Sequence, residues 1–170
     1  MNLIVAVSKN FGIGKNNDLL FDLPTDLKYF KNKTLNKVVV MGDKTYYSLP
    51  FRPLKNRTNI VLSKNEEILD QGVITVHSFI QLFEKLKQYN TNDVFICGGA
   101  SVYNALMDYC TYAYITKVDK EVNADVYLND IDQLKNWEVV DSSQTFEENG
   151  LQFKFVTYKN NNVLKFIDKK

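Results

Sequence analysis

The stretch Val94-Phe95-Ile96-Cys97-Gly98-Gly99-Ala100-Ser101-Val102-Tyr103 reads as a buried strand that ends on a glycine pair and turns at once into a helix. Four consecutive apolar residues closed by glycines are strand-like, and the helix continues from Ala100 to Asp108. The same junction occurs earlier, where the run Lys37 to Met41 meets Gly42-Asp43-Lys44-Thr45 and a short helical stretch. Outward from these, Leu3 to Val7 and Thr58 to Leu62 read as further buried strands. Val73 to Val76 is a weaker one, leading through His77-Ser78 into a helix over Phe79 to Gln88 with Ser78 as its N-cap. Strands alternating with helices imply an α/β protein with a largely parallel central sheet. Beyond residue 110 the pattern changes: Tyr112 to Val118, Trp137 to Val140 and Gln152 to Tyr158 are strands with no long helix between them. Asn149-Gly150 lies between the last two, which predicts an antiparallel edge hairpin. Ser8 to Asp18, with Gly12 and Gly14, reads as a long, mobile polar loop.

Bulk properties narrow the function. A chain of 170 residues fits one domain with a short tail and has no room for a second catalytic domain. A composition of 45% hydrophobic and 24% charged residues argues for a packed fold over disorder. Because 21 basic residues balance 20 acidic ones, no bulk attraction to nucleic acid or an anionic membrane is expected, and any anion must be held locally. The start MNLIVAV is too short and lacks the basic segment of a signal peptide, and no run approaches about 18 apolar residues, so a cytoplasmic protein is expected. Cys97 and Cys110 lack CxxC spacing and read as reduced packing residues. His77 is the only histidine, so no multi-histidine metal site exists and no metal is expected. Asn160 to Lys170 is polar and basic around an apolar island, Val163-Leu164-Phe166-Ile167, compatible with a frayed tail or a docked segment.

The most informative acid is Asp26, in Phe21-Asp22-Leu23-Pro24-Thr25-Asp26-Leu27-Lys28-Tyr29-Phe30. Pro24 suits the first helical position, where no N–H is required. Leu27, Phe30 and Thr34 then line up with Asp26 on the apolar side. A buried carboxylate is costly unless hydrogen-bonded, and a flat heterocycle with two N–H donors would satisfy both oxygens while packing on the apolar neighbours. The same acid would also complement the positive end of its own helix.

Gly98-Gly99 and Gly42-Asp43-Lys44-Thr45 each place exposed N–H groups and a close backbone approach after a buried strand, which suits a phosphate. Glycine-permitted packing of helix on sheet explains such a pair equally well, and the GxGxxG fingerprint is absent. Two such turns in one sheet fit a dinucleotide better than a mononucleotide. Lys44, Lys64 after Ser63, and His77 follow three strands whose ends share one rim, where they would neutralise an adenosine phosphate of the NADP type. Arg57, just before a strand, offers a fork for a carboxylate or forms a surface ion pair.

In this order the residues resemble dihydrofolate reductase of the bacterial single-domain kind, from about Leu3 to Tyr158. The resemblance rests on Leu23 to Leu27 with Phe30, on Thr34 to Lys37 running into Val40-Met41-Gly42, and on Arg52-Pro53-Leu54 with Arg57 and Asn59 to Ser63. Further islands are Gly98-Gly99 with Val102-Tyr103, and Ile115-Thr116 followed by Asp125. It implies a three-layer α/β fold over residues 1–159 with a mixed, mostly parallel sheet of about eight strands. The antiparallel hairpin would be C-terminal, with helices on both faces and a polar tail over 160–170. It also implies a monomeric enzyme that reduces 7,8-dihydrofolate to 5,6,7,8-tetrahydrofolate with NADPH, hydride going to C6 and a proton to N5, in support of one-carbon metabolism and thymidylate synthesis.

By the same resemblance, Asp26, Leu27, Thr116 and Tyr103 form the catalytic set, with Asp26 gripping the pterin. Ile4, Leu27, Phe30 and Leu49 form the apolar slot, the carbonyls of Ile4 and Cys97 face the pterin, and Arg57 with Arg52 receives the glutamate tail. Cofactor contacts fall to Ala6 and Ile13 at the nicotinamide and to a closing lid over Gly14 to Leu19, including Asn17 and Asp18. The remainder are Gly42, Lys44, Thr45, Leu62, Ser63, Lys64, His77, Gly98, Gly99, Ala100, Ser101, Val102 and Tyr103. Three positions depart from the family pattern: Leu20-Phe21 stands for the usual Pro-Trp, and Asp43 and Ser101 stand where bacterial relatives often carry arginines for the cofactor's extra phosphate. Rival assignments are a pyrimidine reductase of riboflavin synthesis and a non-catalytic NADPH- or pterin-binding module.

Overall fold

The β-branched, continuously apolar runs form the middle of a sheet that is covered on both sides, as parallel strands require. The protein is described by a computed structural model covering residues 1–166. In chain order the elements are β1 (Asn2–Val7), β2 (Gly12–Gly14), α1 (Pro24–Thr34), β3 (Val38–Gly42), α2 (Asp43–Ser48), β4 (Thr58–Leu62), β5 (Val73–Val76) and α3 (Phe79–Leu86). There follow β6 (Val94–Ile96), α4 (Ala100–Leu106), β7 (Tyr112–Val118), β8 (Val126–Tyr127), β9 (Trp137–Ser142), β10 (Phe146–Glu148) and β11 (Leu151–Asn160). The main sheet runs β10-β11-β7-β1-β6-β3-β4-β5, with β9 also on β11. Every pairing from β7 to β5 is parallel, and only those made by β11 are antiparallel.

Register assigns the faces. Leu3, Val5, Val7, Val38 and Val40 share a core with Leu82 and Leu86 of α3 and with Val102 and Leu106 of α4. The alternate residues Val39 and Met41 pack with Tyr46 of α2 on the other face. Ile4 and Ala6 lie opposite Tyr114 and Thr116 on that second face, where α1 sits because Thr116 bonds to Asp26. The outcome is three layers, α1 and α2 on one face, α3 and α4 on the other.

The edge hairpin differs from the expected pair. Asn149 and Gly150 (φ 52° and 74°) make the two-residue turn between β10 and β11, a left-handed pair that Asn-Gly supports. β9 pairs separately along the C-terminal half of β11. β10 escaped the sequence reading because Phe146-Glu147-Glu148 has only one apolar residue.

Nor is the Ser8–Asp18 segment an open loop. Gly12–Gly14 pairs with Val126–Tyr127, Phe11 is buried, and Ser8 bonds twice to Gly12 (2.9 and 2.8 Å). Burial of Phe11 in the main core anchors the first half of the segment. The C-terminal segment docks: the Leu164 N–H donates to the Asp108 carbonyl (2.9 Å), and Phe166 stacks on Phe83 with centroids 5.1 Å apart. Ile167, the end of the expected apolar island, lies outside the described residues. Among those residues no helix is long and apolar enough to cross a membrane.

Candidate active site

Asp26 enters the second-face layer because α1 starts where two constraints meet. Pro24 opens the helix, and no side chain of the preceding loop caps it. The cap comes from β10: Glu148 accepts from the Thr25 N–H (3.0 Å) and from the Thr25 hydroxyl (2.6 Å). At the next residue, Asp26 Oδ1 accepts from the Thr116 hydroxyl (2.6 Å), and among the described residues no other protein donor reaches the carboxylate. Burial pushes the Asp26 pKa above the ordinary carboxylate value, the Thr116 hydroxyl draws it back, and the like charge of Glu148 adds to the rise. Glu148 is thus a contributor that sequence reading missed, although its place beside the Asn149-Gly150 turn was a usable signal.

The helix face is not the one expected throughout. Asp26, Tyr29, Phe30, Lys33 and Thr34 point inward, with Tyr29 stacked on Phe155 at 4.0 Å. Leu27 is 53% exposed and stands at the rim of the slot, because the next helical residue is rotated by about 100° from Asp26. Leu23 takes the buried apolar place instead, against Val118 and Phe153. Phe21 joins that cluster and brings no N–H donor.

Behind Asp26 the floor is β1 and β6. Ile4 is buried, and its carbonyl accepts from the Tyr103 hydroxyl (2.7 Å), which ties α4 to β1. Burial drives the Tyr103 pKa well above its usual value, with the charges of Cys97 and Asp26 adding to it, so Tyr103 stays a neutral donor. Cys97 follows β6 on the same face, its thiol pushed up to about 12 by burial. Both cysteines are free. Leu49 packs with the α2 side of the slot.

Arg57 closes the far end. Its Nε donates to the Lys55 carbonyl (2.9 Å) and its Nη1 to the Thr34 hydroxyl (3.2 Å), at the last residue of α1. Among the described residues it has no acidic partner, so the surface ion pair is not formed. Eight residues of helix separate Asp26 from Thr34, about 12 Å at 1.5 Å per residue. Arg52 does not join it: its guanidinium lies 3.6 Å from Asp70 and over the rings of Tyr46 and Tyr47.

The two glycine junctions meet, since β3 and β6 are neighbours. The Gly42 N–H donates to the Gly98 carbonyl (2.8 Å). A Cβ at Gly42 would sit 3.5 Å from Val102 and 4.0 Å from the Gly98-Gly99 peptide, and one at Gly99 would come 3.3 Å from the Thr45 hydroxyl. Gly98 has φ 121° with Tyr103 closely packed on it, a conformation other residues rarely adopt. Asn17, Asp18 and Leu19, expected in the lid, are exposed beyond Gly14 and Ile13. Asp125 anchors the turn, accepting from the Asn16 N–H (2.9 Å) and donating its own N–H to the Gly14 carbonyl (3.1 Å). Ala6 faces this region beside Thr116, while Ala100 and Ser101 open α4.

The expected cationic rim is only partly present. Lys44 and Lys64 are exposed at the ends of β3 and β4 next to Leu62. The His77 ring lies between the Ser63 carbonyl (2.7 Å) and Glu67 (3.1 Å), so it is engaged within the protein. A separate concavity of about 600 Å³ lies on the opposite face of β7. There Lys117, Asp132 and Tyr158 satisfy one another at 2.7 to 3.1 Å, away from Asp26.

Residues 1–160 match the family model for dihydrofolate reductase. The chain belongs to the dihydrofolate reductase family. It is 37% identical over 140 residues to the dihydrofolate reductase of Buchnera aphidicola subsp. Acyrthosiphon pisum, covering 82% of this chain and 85% of that one. It is 35% identical to that of Bacillus subtilis, covering 95% of both chains. The Sus scrofa dihydrofolate reductase is likewise 35% identical, covering 95% of this chain and 98% of that one. Membership in the dihydrofolate reductase family agrees with the three-layer architecture that the resemblance implied, here with nine strands in the main sheet.

Proposed function

We propose that this protein reduces 7,8-dihydrofolate to 5,6,7,8-tetrahydrofolate with NADPH, acting as a cytoplasmic monomer. The observation that carries the reading is the pairing of unmatched charges along α1: a partly buried carboxylate at one end and, among the described residues, a guanidinium without an acidic partner at the other. A ligand that satisfies both is elongated, with a flat N–H-bearing heterocycle at one end and a carboxylate about 12 Å away. Dihydrofolate has that form.

Asp26 accepts the ring's paired N–H donors, and Thr116 holds its carboxylate in place. Ile4 and Phe30 pack against the ring, Leu27 and Leu49 border it, and Arg57 receives the terminal carboxylate. Asp26 remains outside direct reach of N5 in this scheme: it sets the ring's electronics so that water can deliver the proton. The glycine cradle of Gly42, Gly98 and Gly99 with Thr45 suits the pyrophosphate, since a Cβ at Gly99 would crowd the Thr45 hydroxyl and Gly98 holds a φ that other residues rarely adopt. Bound there, NADPH supplies the hydride. Ala6, Ile13 and the Gly14–Leu19 lid would border its nicotinamide and exclude water from the transfer. Ser63, Lys64, Leu62, Ala100, Ser101 and Val102 lie along the remaining path.

A pyrimidine reductase would have no acid at Asp26 grouped with Leu27 and Phe30, and a silent binding module would keep the glycines while losing the acid or the slot; this chain keeps both. The test is loss of NADPH absorbance with dihydrofolate, comparing wild type with Asp26→Asn. At least about tenfold slower turnover at neutral pH is expected of the variant, the scale of a lost general acid–base contribution. Equal turnover would remove Asp26 from the mechanism.

A further inference from the structure

Asp43 stands where a dinucleotide crossing this sheet would place its adenosine ribose. The reacting end is fixed on the β1 and β7 side by Asp26 and Thr116, and the paired glycine junctions lie at the carboxyl ends of β6 and β3. A dinucleotide that follows this rim continues to the ends of β3, β4 and β5, the region where α/β sheets take such ligands. There the Asp43 carboxylate is held by two bonds, accepting from the Lys44 N–H (2.7 Å) and from the Ser63 hydroxyl (3.1 Å). Ser63 is 1% exposed, so the acid is bonded to a fixed group rather than free to swing away. His77, the third cation of the expected cluster, is occupied by the Ser63 carbonyl and by Glu67. Among the described residues Lys44 and Lys64 remain exposed after β3 and β4, and Glu67 stands 3.1 Å from the His77 ring.

A carboxylate in this setting accepts hydrogen bonds from a ribose 2′-hydroxyl and repels a 2′-phosphate. We infer that Asp43 is a specificity-determining residue that disfavours the 2′-phosphate, so that the protein accepts NADH nearly as well as NADPH. This rests on the proposed cofactor site and refines it: the adenosine end recognises the diol of the ribose as readily as its phosphate ester. Lys44 and Lys64 offset part of the repulsion, which leaves NADPH usable.

The test is titration calorimetry of wild type, Asp43→Asn and Asp43→Ser with NADPH, NADH, 2′,5′-ADP and 5′-ADP, alongside kcat/KM for both reduced cofactors. Wild type should prefer NADPH over NADH by no more than about tenfold. Both variants should bind NADPH and 2′,5′-ADP about tenfold more tightly, the equivalent of one removed like-charge contact, while NADH and 5′-ADP bind no more tightly than to wild type. Circular dichroism and cooperative urea unfolding of both variants show that they fold. Variants that leave the discrimination unmoved, or shift both cofactors equally, would overturn the inference while the reductase reading stands. If wild type binds neither dinucleotide, the cofactor site itself is wrong and the role of Asp43 falls with it.

Discussion

Thr116→Val isolates the effect of one hydroxyl on one partly buried acid. The side chain is 2% exposed on β7, and valine keeps its branching, so the perturbation is loss of the O–H donor 2.6 Å from Asp26. A hydrogen bond to an ionised group contributes about 1.5–3 kcal/mol, against about 0.5–1.5 kcal/mol between neutral groups. Burial holds the Asp26 pKa above its unfolded value, and Thr116 lowers it again. An acid whose folded pKa is raised binds its proton more tightly in the folded state, so its contribution to stability is full below the unfolded pKa and is lost as pH rises through the folded one. Valine lifts the folded pKa further and deepens that loss. Urea unfolding followed by Trp137 fluorescence should therefore show the variant destabilised by about 1 kcal/mol more near pH 8 than near pH 4. The apparent pKa of turnover should rise in the same variant. Equal destabilisation at both pH values would mean that the hydroxyl does not interact with the ionised carboxylate, and the account of Asp26 would be refuted.

Four further outcomes are expected. Glu148→Gln removes a like charge while keeping an acceptor for Thr25, so the pH–rate profile should move to lower pH; a profile that stays in place would exclude Glu148 from the electrostatics of Asp26. Glu148→Ala should in addition lower stability by about 0.5–2 kcal/mol through the lost helix cap, measured by urea unfolding. Because its ionised form is disfavoured by burial, Asp26→Asn should melt higher than wild type near pH 8, with the difference vanishing near pH 4; a lower melting temperature at pH 8 would contradict that burial. Arg57→Ala should weaken folate binding at least about tenfold in calorimetry while cofactor affinity is unchanged, and equal losses for both ligands would contradict its placement.

Much of this protein was legible in one dimension because its strands are short, continuously apolar and closed by glycine, proline or polar residues. Those runs determine the parallel core, and Pro24 with Asp26 determines where an acid must enter it. Linear order could not reveal which neighbours complete that acid. Thr116 lies 90 residues away in sequence and reaches Asp26 only because β7 pairs with β1 beneath α1. Glu148 lies 123 residues from Thr25 and arrives through a hairpin whose first strand has a single apolar residue. The exposure of Leu27, the diversion of Arg52 to Asp70 and the engagement of His77 by Glu67 were likewise settled by which partner lies closest in space. Apolar periodicity is a local property that survives in the chain as written, whereas the environment of a charge is the sum of whatever folding brings within a few ångströms of it.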